Sequence, residues 1–132
     1  MNEAERAFLE DHVWAVLATT RRDGSPQQSM VGYAVDDQGR LVVSTKSYTA
    51  KWRNAERAPS VSLTVADGRV HLVVAGPVEL ITEDPDRAEL TADVFAALSG
   101  ADRPDPAAIV PMLDEQQRTV MRITPESVHF HE

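Results

Sequence analysis

Apolar and polar positions along this chain follow short periods of two, broken a few times by the longer period of a helix. Trp14 to Thr20 is an apolar, β-branched run that reads as a strand, and Gln27 to Val35 reads as its return. The residues between them, Arg21 to Pro26, carry Asp23 and Gly24, the pair that most strongly favours a tight hairpin turn. Asp36 to Gly39 makes a second turn, and Leu41 to Thr45 a third strand, so an antiparallel meander is expected. Val61 to Ala66 and Val70 to Leu80 form another predicted hairpin about Asp67 and Gly68. Gly76 and Pro77 interrupt its second arm and predict a bulge or an edge there. Thr119 to Ile123 and Ser127 to Phe130 complete the strands, separated by Thr124 to Glu126.

The helical period appears four times. Residues 3–12 place Ala4, Ala7, Phe8 and His12 at compatible spacing. Residues 50–57 follow Thr49, whose hydroxyl suits an N-cap, and end before Pro59. A third helix starts at Asp84 to Asp86 and runs to about Leu98, with Leu90, Val94, Ala97 and Leu98 as its buried stripe. After a loop from Ser99 to Pro106, a fourth helix over 107–117 buries Ile109, Val110 and Leu113. Six or seven antiparallel strands with peripheral helices predict a mainly β fold, a small barrel that removes its exposed edges by closing on itself. Neither a repeat nor a long linker divides the chain, so one domain over residues 1–132 is expected.

Composition removes several chemistries. Without cysteine there are no disulfides, thiolate metal sites or cysteine nucleophiles. No stretch approaches the roughly 20 apolar residues that span a bilayer, and the acidic, polar start does not resemble a secretory signal. A soluble cytoplasmic protein without a membrane partner is the expectation. The net charge of −8 argues against a nucleic-acid partner, because such binding neutralises phosphates with basic groups. The four histidines lack zinc-motif spacing, so no metal site is expected. Ser25 and Ser29 flank a turn without the elbow of a hydrolase, and Asp36 and Asp37 suit turn chemistry.

One segment does carry chemistry. Arg21, Arg22, Lys46, Lys51, Arg53 and Arg57 concentrate positive charge in the first 57 residues of an acidic chain. Ser47 to Asn54 is a hydroxyl- and cation-rich loop that opens a helix directly after a strand. Helix-start amides and lysine both favour phosphate, so this is a place to hold one phosphate-bearing ligand. Lys51 is unfavourably placed for the helix dipole, which a ligand phosphate would explain. Trp52 is expected at a barrel or dimer surface, Asn54 on local backbone, and Trp14 and Tyr33 in a core or an interface.

The order Leu17, Ala18, Thr19, then Asp23, Gly24, Pro26, Gln27 and Ser29, then Ser44 and Thr45, then Ala50, Lys51, Arg53 and Asn54, then Ala58 and Pro59 resembles the pyridoxamine 5′-phosphate oxidase-like split β-barrel proteins. Gly76 to Leu80 and Arg122 to Val128 extend the likeness over nearly the whole chain. Within that family the closer likeness is to the branch of flavin- or deazaflavin F420-dependent oxidoreductases. The resemblance implies an FMN-binding-like split barrel and a homodimer with the cofactor in a groove at the interface. It implies that Lys51, Ser44, Thr45 and Thr49, with Lys46 and Ala50 beside them, surround the cofactor phosphate. Gln28, Ser29 and Val31 would lie beside the tricyclic ring, and His71 would reach it across the interface. Where many F420-binding relatives carry arginine two residues before the motif lysine, this chain has Thr49, with Lys46 as the nearby charge. The implied activity is hydride transfer between F420 and an unsaturated small-molecule substrate, with no catalytic side chain assigned. FMN as cofactor, or a non-catalytic protein that stores flavin or F420, are the alternatives.

Overall fold

The computed structural model describes Met1–Glu132. Its elements run α1 (Glu3–Glu10), β1 (Trp14–Thr20), β2 (Pro26–Val35), β3 (Leu41–Lys46), α2 (Ala50–Arg57), β4 (Ser60–Asp67), β5 (Val70–Ile81), α3 (Asp86–Ser99), α4 (Pro106–Gln116), β6 (Arg118–Ile123) and β7 (Ser127–His131). The order across the sheet is β4-β1-β2-β3-β6-β5-β7, and β4 also pairs with β5. Six antiparallel strands therefore close into a barrel, and β7 adds a seventh strand along β5.

Two long strands divide the barrel. β2 pairs with β1 through residues 26–32 and with β3 through residues 33–35. β5 pairs with β4 through residues 70–77 and with β6 through residues 78–81. The change of partner on β5 falls at Gly76 and Pro77, where a bulge or an edge was expected. The strand instead runs through unbroken, because the connection between β6 and β7 crosses Gly76 and hydrogen-bonds the strand. A Cβ on Gly76 would stand 2.0 Å from the Thr124 carbonyl oxygen, so the absent side chain is what admits the crossing.

Alternation sorts the strands into an interior and two outer faces. Leu17, Val31, Tyr33, Leu41, Val43, Leu63, Leu72, Val74, Met121 and Ile123 fill the interior. Tyr33, fully buried, donates its hydroxyl to the Leu9 carbonyl at 2.6 Å and so fastens α1 to the barrel. Trp52 also belongs to this core, so α2 closes the barrel rather than presenting its tryptophan to a surface. The outer face of β2, β3 and β6 is covered by α3, where Val42, Val94 and Val120 form a second cluster with Leu90 and Leu98 packed on it.

Several local expectations change in the structure. α1 ends at Glu10, and Asn2 caps it with a reciprocal Glu5 capping box. The buried face of α3 is Arg87, Ala88, Thr91, Ala92 and Val94. Leu90, Ala97 and Leu98 are only half-buried, with Leu90 and Leu98 packed at the margin of the Val42, Val94 and Val120 cluster. On α4 only Leu113 is buried, while Ile109 and Val110 stay half-exposed. None of the helices is long and apolar enough to cross a membrane.

Candidate functional site

The start of α2 lies beside the ends of β3 and β6. Thr49 stands at the N-cap, but its hydroxyl donates to the Lys46 carbonyl at 2.8 Å instead of accepting a helix amide. The first turn of α2 also lacks any acidic side chain, so its amides are left for another acceptor. The β3–β6 register pairs Lys46 with Arg118, which delivers a third cation to the place where Lys46 and Lys51 already sit. Arg118 donates to Gln116 Oε1 at 2.7 Å and lies within 3.4 Å of Ser44 Oγ. Its guanidinium stands 5.9 Å from the centre of the Phe95 ring.

These groups line a cavity of about 280 Å³. Its charged lining is Lys46, Lys51 and Arg118, its hydroxyls are Ser44, Thr45 and Thr49, and its apolar wall includes Trp14, Met30, Val94, Phe95 and Leu98. None of the three cations forms an ion pair. Burial lowers the Lys51 ammonium below its ordinary value, and the charges of Arg118 and Lys46 push it further the same way. Thr45 Oγ1 is buried without a hydrogen-bond partner. Unpaired cations and free helix-start amides form the donor set of an anion site, and the apolar wall beside them suits a flat ring.

Of the positions expected to hold a cofactor, Val31, Ser44, Thr45, Lys46, Thr49 and Lys51 line this cavity. Gln28, Ser29, Ala50 and His71 do not. Ser29 and Val31 alternate with Gln28 and Met30, and Val31 packs in the barrel interior, so Met30 and Gly32 are the β2 residues on the outer face. Ser29 Oγ, too, is buried without a partner. His71 lies across β5 and β7 from His131, in a separate cavity. Asn54 bonds across to β1 rather than to local backbone. The sequence reading missed Arg118 and the α3 wall. Arg118 carried a weak signal as the residue two before Val120, on the same outward face as Arg122.

A larger cleft of about 650 Å³ lies between α1, β2 and α3, lined in part by Asp36, Arg40, Asp93 and Arg122. These four charges are already answered, in the pairs Asp36–Arg40, Asp93–Arg103 and Arg122–Glu79. Of the two, the smaller cavity is therefore the one whose cations are unpaired.

The family model described as pyridoxamine 5′-phosphate oxidase matches residues 1–132. The chain belongs to the pyridoxamine 5′-phosphate oxidase family. Solved structures of similar fold include the conserved hypothetical protein Rv2991 from Mycobacterium tuberculosis, at TM-score 0.83 and 27% identity over 100% of this chain and 85% of that one. An F420 reductase is similar at TM-score 0.75 and 26% identity, over 98% of both chains. The heme storage protein HutZ from Vibrio cholerae shares the fold at TM-score 0.69 and 21% identity, over 97% of this chain and 93% of that one. In a family of this kind the cavity at the start of α2 is the natural candidate for a cofactor site, since its donors fit a phosphate.

Proposed function

We propose that this protein is an F420-dependent oxidoreductase that reduces an unsaturated small molecule. The observation that carries the proposal is the trio Lys46, Lys51 and Arg118, unpaired beside the free amides of α2 and an apolar wall. The similarity to an F420 reductase supports the same reading. Lys51, Lys46 and Arg118 would hold the phosphate, and Ser44, on the outer face of β3, would add a directional hydroxyl. Met30, Phe95 and Leu98 would flank the ring and keep water from it. When bound, the deazaflavin supplies the hydride chemistry. The cavity lining holds no carboxylate and no histidine, so the proton that completes the reduction would come from solvent.

The distribution of charge favours F420 over FMN. Of the 13 lysines and arginines, Arg6, Arg40, Arg87, Arg103 and Arg122 are in ion pairs, which leaves eight without one. Seven of those eight, all but Arg69, belong to the β1–β2 turn, the end of β3, α2 or the start of β6. FMN needs only a phosphate anchor, whereas F420 also carries a carboxylate-rich tail that such a surplus would attract.

The reading includes a homodimer. Trp14 is 56% exposed and Met30 64% exposed, both at the mouth of a cavity too small to enclose a tricyclic cofactor alone. The outward positions of β1, of β4 and of residues 71–77 of β5 carry no Asp, Glu, Lys or Arg, which suits burial against a second copy.

Parallel titrations of the purified protein with F420 and FMN, followed by fluorescence quenching, test the proposal. Tighter binding of F420 supports it, preference for FMN moves the protein to flavin chemistry, and binding of neither removes it. A non-catalytic storage protein is the second reading, favoured by a cavity without acid–base groups. Turnover of any acceptor by the reduced complex separates the two.

A further inference from the structure

Arg87, only 8% exposed, stands in the first turn of α3 and does not line the cation-bearing cavity. Its Nε and Nη2 donate to the two oxygens of Asp84 at 3.1 and 2.8 Å, just ahead of the helix. Nη2 also donates to Asp114 Oδ1 at 2.8 Å, in the last turn of α4. Nη1 donates to the Arg118 carbonyl at 3.2 Å, at the first residue of β6. One guanidinium fork thus ties both ends of the α3–α4 insert to the residue that brings the third cation to the site. Arg118 follows a sharp joint: Gln117, with φ 54°, is left-handed and turns α4 into β6. The Gln117 carbonyl accepts from Ser47 N–H on the β3 side at 2.9 Å. Successive carbonyls of a strand face opposite sides, and β5 pairs with β6 no further than Val120, so Arg87 takes the place of a strand partner at Arg118.

We propose that Arg87 is a positioning residue for the cavity, setting where the Arg118 guanidinium stands relative to Lys46 and Lys51. The inference rests on the reading of that cavity as the cofactor's phosphate site. The Arg118 side chain is steadied by Gln116 Oε1 at 2.7 Å, and Gln116 belongs to the same turn of α4 that Arg87 reaches through Asp114. Both the backbone of Arg118 and its side-chain partner are therefore referred to one clamp. Asp84 also accepts from Ala88 N–H at 3.1 Å, which fixes the start of α3, the helix that carries Val94, Phe95 and Leu98 of the apolar wall. Lysine at position 87 would keep the charge, but a single ammonium lacks the planar fork that meets three partners in fixed directions. Lys51 reports on the arrangement without any ligand. Burial lowers its ammonium first, the charges of Arg118 and then Lys46 lower it further, and Tyr48 opposes them.

The test is an NMR titration of the Lys51 side chain in the ligand-free full chain, for wild type, Arg87→Met, Arg118→Ala and the double variant. Lys46 and Lys51 are the only lysines, so comparison with Lys46→Arg assigns the signal. Arg118→Ala should raise the Lys51 value toward the ordinary 10.5, and Arg87→Met should raise it part of the way. In the Arg118→Ala background Arg87→Met should add nothing, which a merely structural role would not produce. F420 titrations of the same proteins should follow the same pattern, with affinity lower by about tenfold for Arg118→Ala and about threefold for Arg87→Met. Thermal melts check folding. If Arg87→Met does not fold, Arg87→Lys runs the same cycle and should give a smaller shift in the same direction. A Lys51 value that Arg87 substitution leaves unchanged or lowers overturns the proposal, as does a shift just as large without Arg118 as with it. A wild type that binds no F420 removes the cofactor reading instead, and the Lys51 cycle still decides the role of Arg87.

Discussion

Asn54 Nδ2 donates to Thr19 Oγ1 at 3.1 Å, joining the buried side of α2 to the barrel strand β1. Thr19 Oγ1 passes the chain on to Gln27 Oε1 at 3.0 Å, and Arg57 donates to Asn54 Oδ1 at 3.0 Å and to the Thr20 carbonyl at 2.7 Å. The register that fixes the barrel thus fixes α2 as well, and with it the position of Lys51. Asn54→Ala should cost about 1–3 kcal/mol, because it removes the partner of a buried hydroxyl and a buried hydrogen-bond network. Urea denaturation measures that loss. Phosphate or cofactor affinity should fall too, although Asn54 does not line the cavity.

Lys51 is expected to trade stability against binding. Its ammonium titrates below the ordinary value of 10.5, so between the folded and ordinary values the unfolded chain binds more protons. At neutral pH the cost of keeping Lys51 charged is fully present, and it is relieved as pH rises through that window. Lys51→Met should therefore raise the stability of the ligand-free protein while lowering its affinity for a phosphate-bearing cofactor. Melts across pH 7–10 and a binding titration read the two effects. A variant that loses stability and keeps its affinity would remove Lys51 from the site.

Gly32 sets how close α3 lies to the cavity floor. A Cβ there would come within 2.7 Å of the Leu98 side chain, whose flexible end can move. Gly32→Ala should cost about 1 kcal/mol and narrow the cavity, and Leu98→Ala in the same chain should restore much of the room. Ligand affinity across the single and double variants gives a coupling energy, which would be absent if the ring bound elsewhere.

His12 makes folding weakly dependent on pH in the opposite direction to Lys51. Its imidazolium is favoured by the Phe8 carbonyl and by Asp67, which raise it above the ordinary 6.5 against an opposing effect of burial. A raised value means the contribution is complete below 6.5 and is lost as pH climbs through the folded value. The wild type should lose a little stability over that interval, and His12→Asn should flatten the curve in thermal melts.

The strands were legible because alternation and Asp-Gly turns are local signals, and β1 runs over the residues the pattern marked, Trp14–Thr20. Pairings far apart in sequence were not. Arg118 reaches the candidate site only because it opposes Lys46 across β3 and β6, a register no local pattern announces. Gly76 and Pro77 read as an interruption, since the sequence could not show that another segment crosses there. The face of each β2 residue needed the register too: counting outward from Tyr33 puts Gln28, Met30 and Gly32 on one side and Ser29 and Val31 on the other. The phosphate-type donors were legible as a cluster, whereas the α3 wall was not, because Phe95 and Leu98 look like any helix core.

Ile81 and Val120 are direct neighbours in the sheet, so everything between them departs from one edge of a hairpin and returns to the same place. Geometrically a few residues would suffice for that connection, yet the chain inserts α3 and α4 there. The cradle of cations belongs mainly to the barrel and α2, while most of the apolar wall belongs to the insert. A lineage could exchange the insert like a cassette, altering what fits against the cradle while the strands keep their partners. Substrate range and barrel folding would then be inherited separately, and swapping residues 83–117 between relatives becomes the direct route to new specificity.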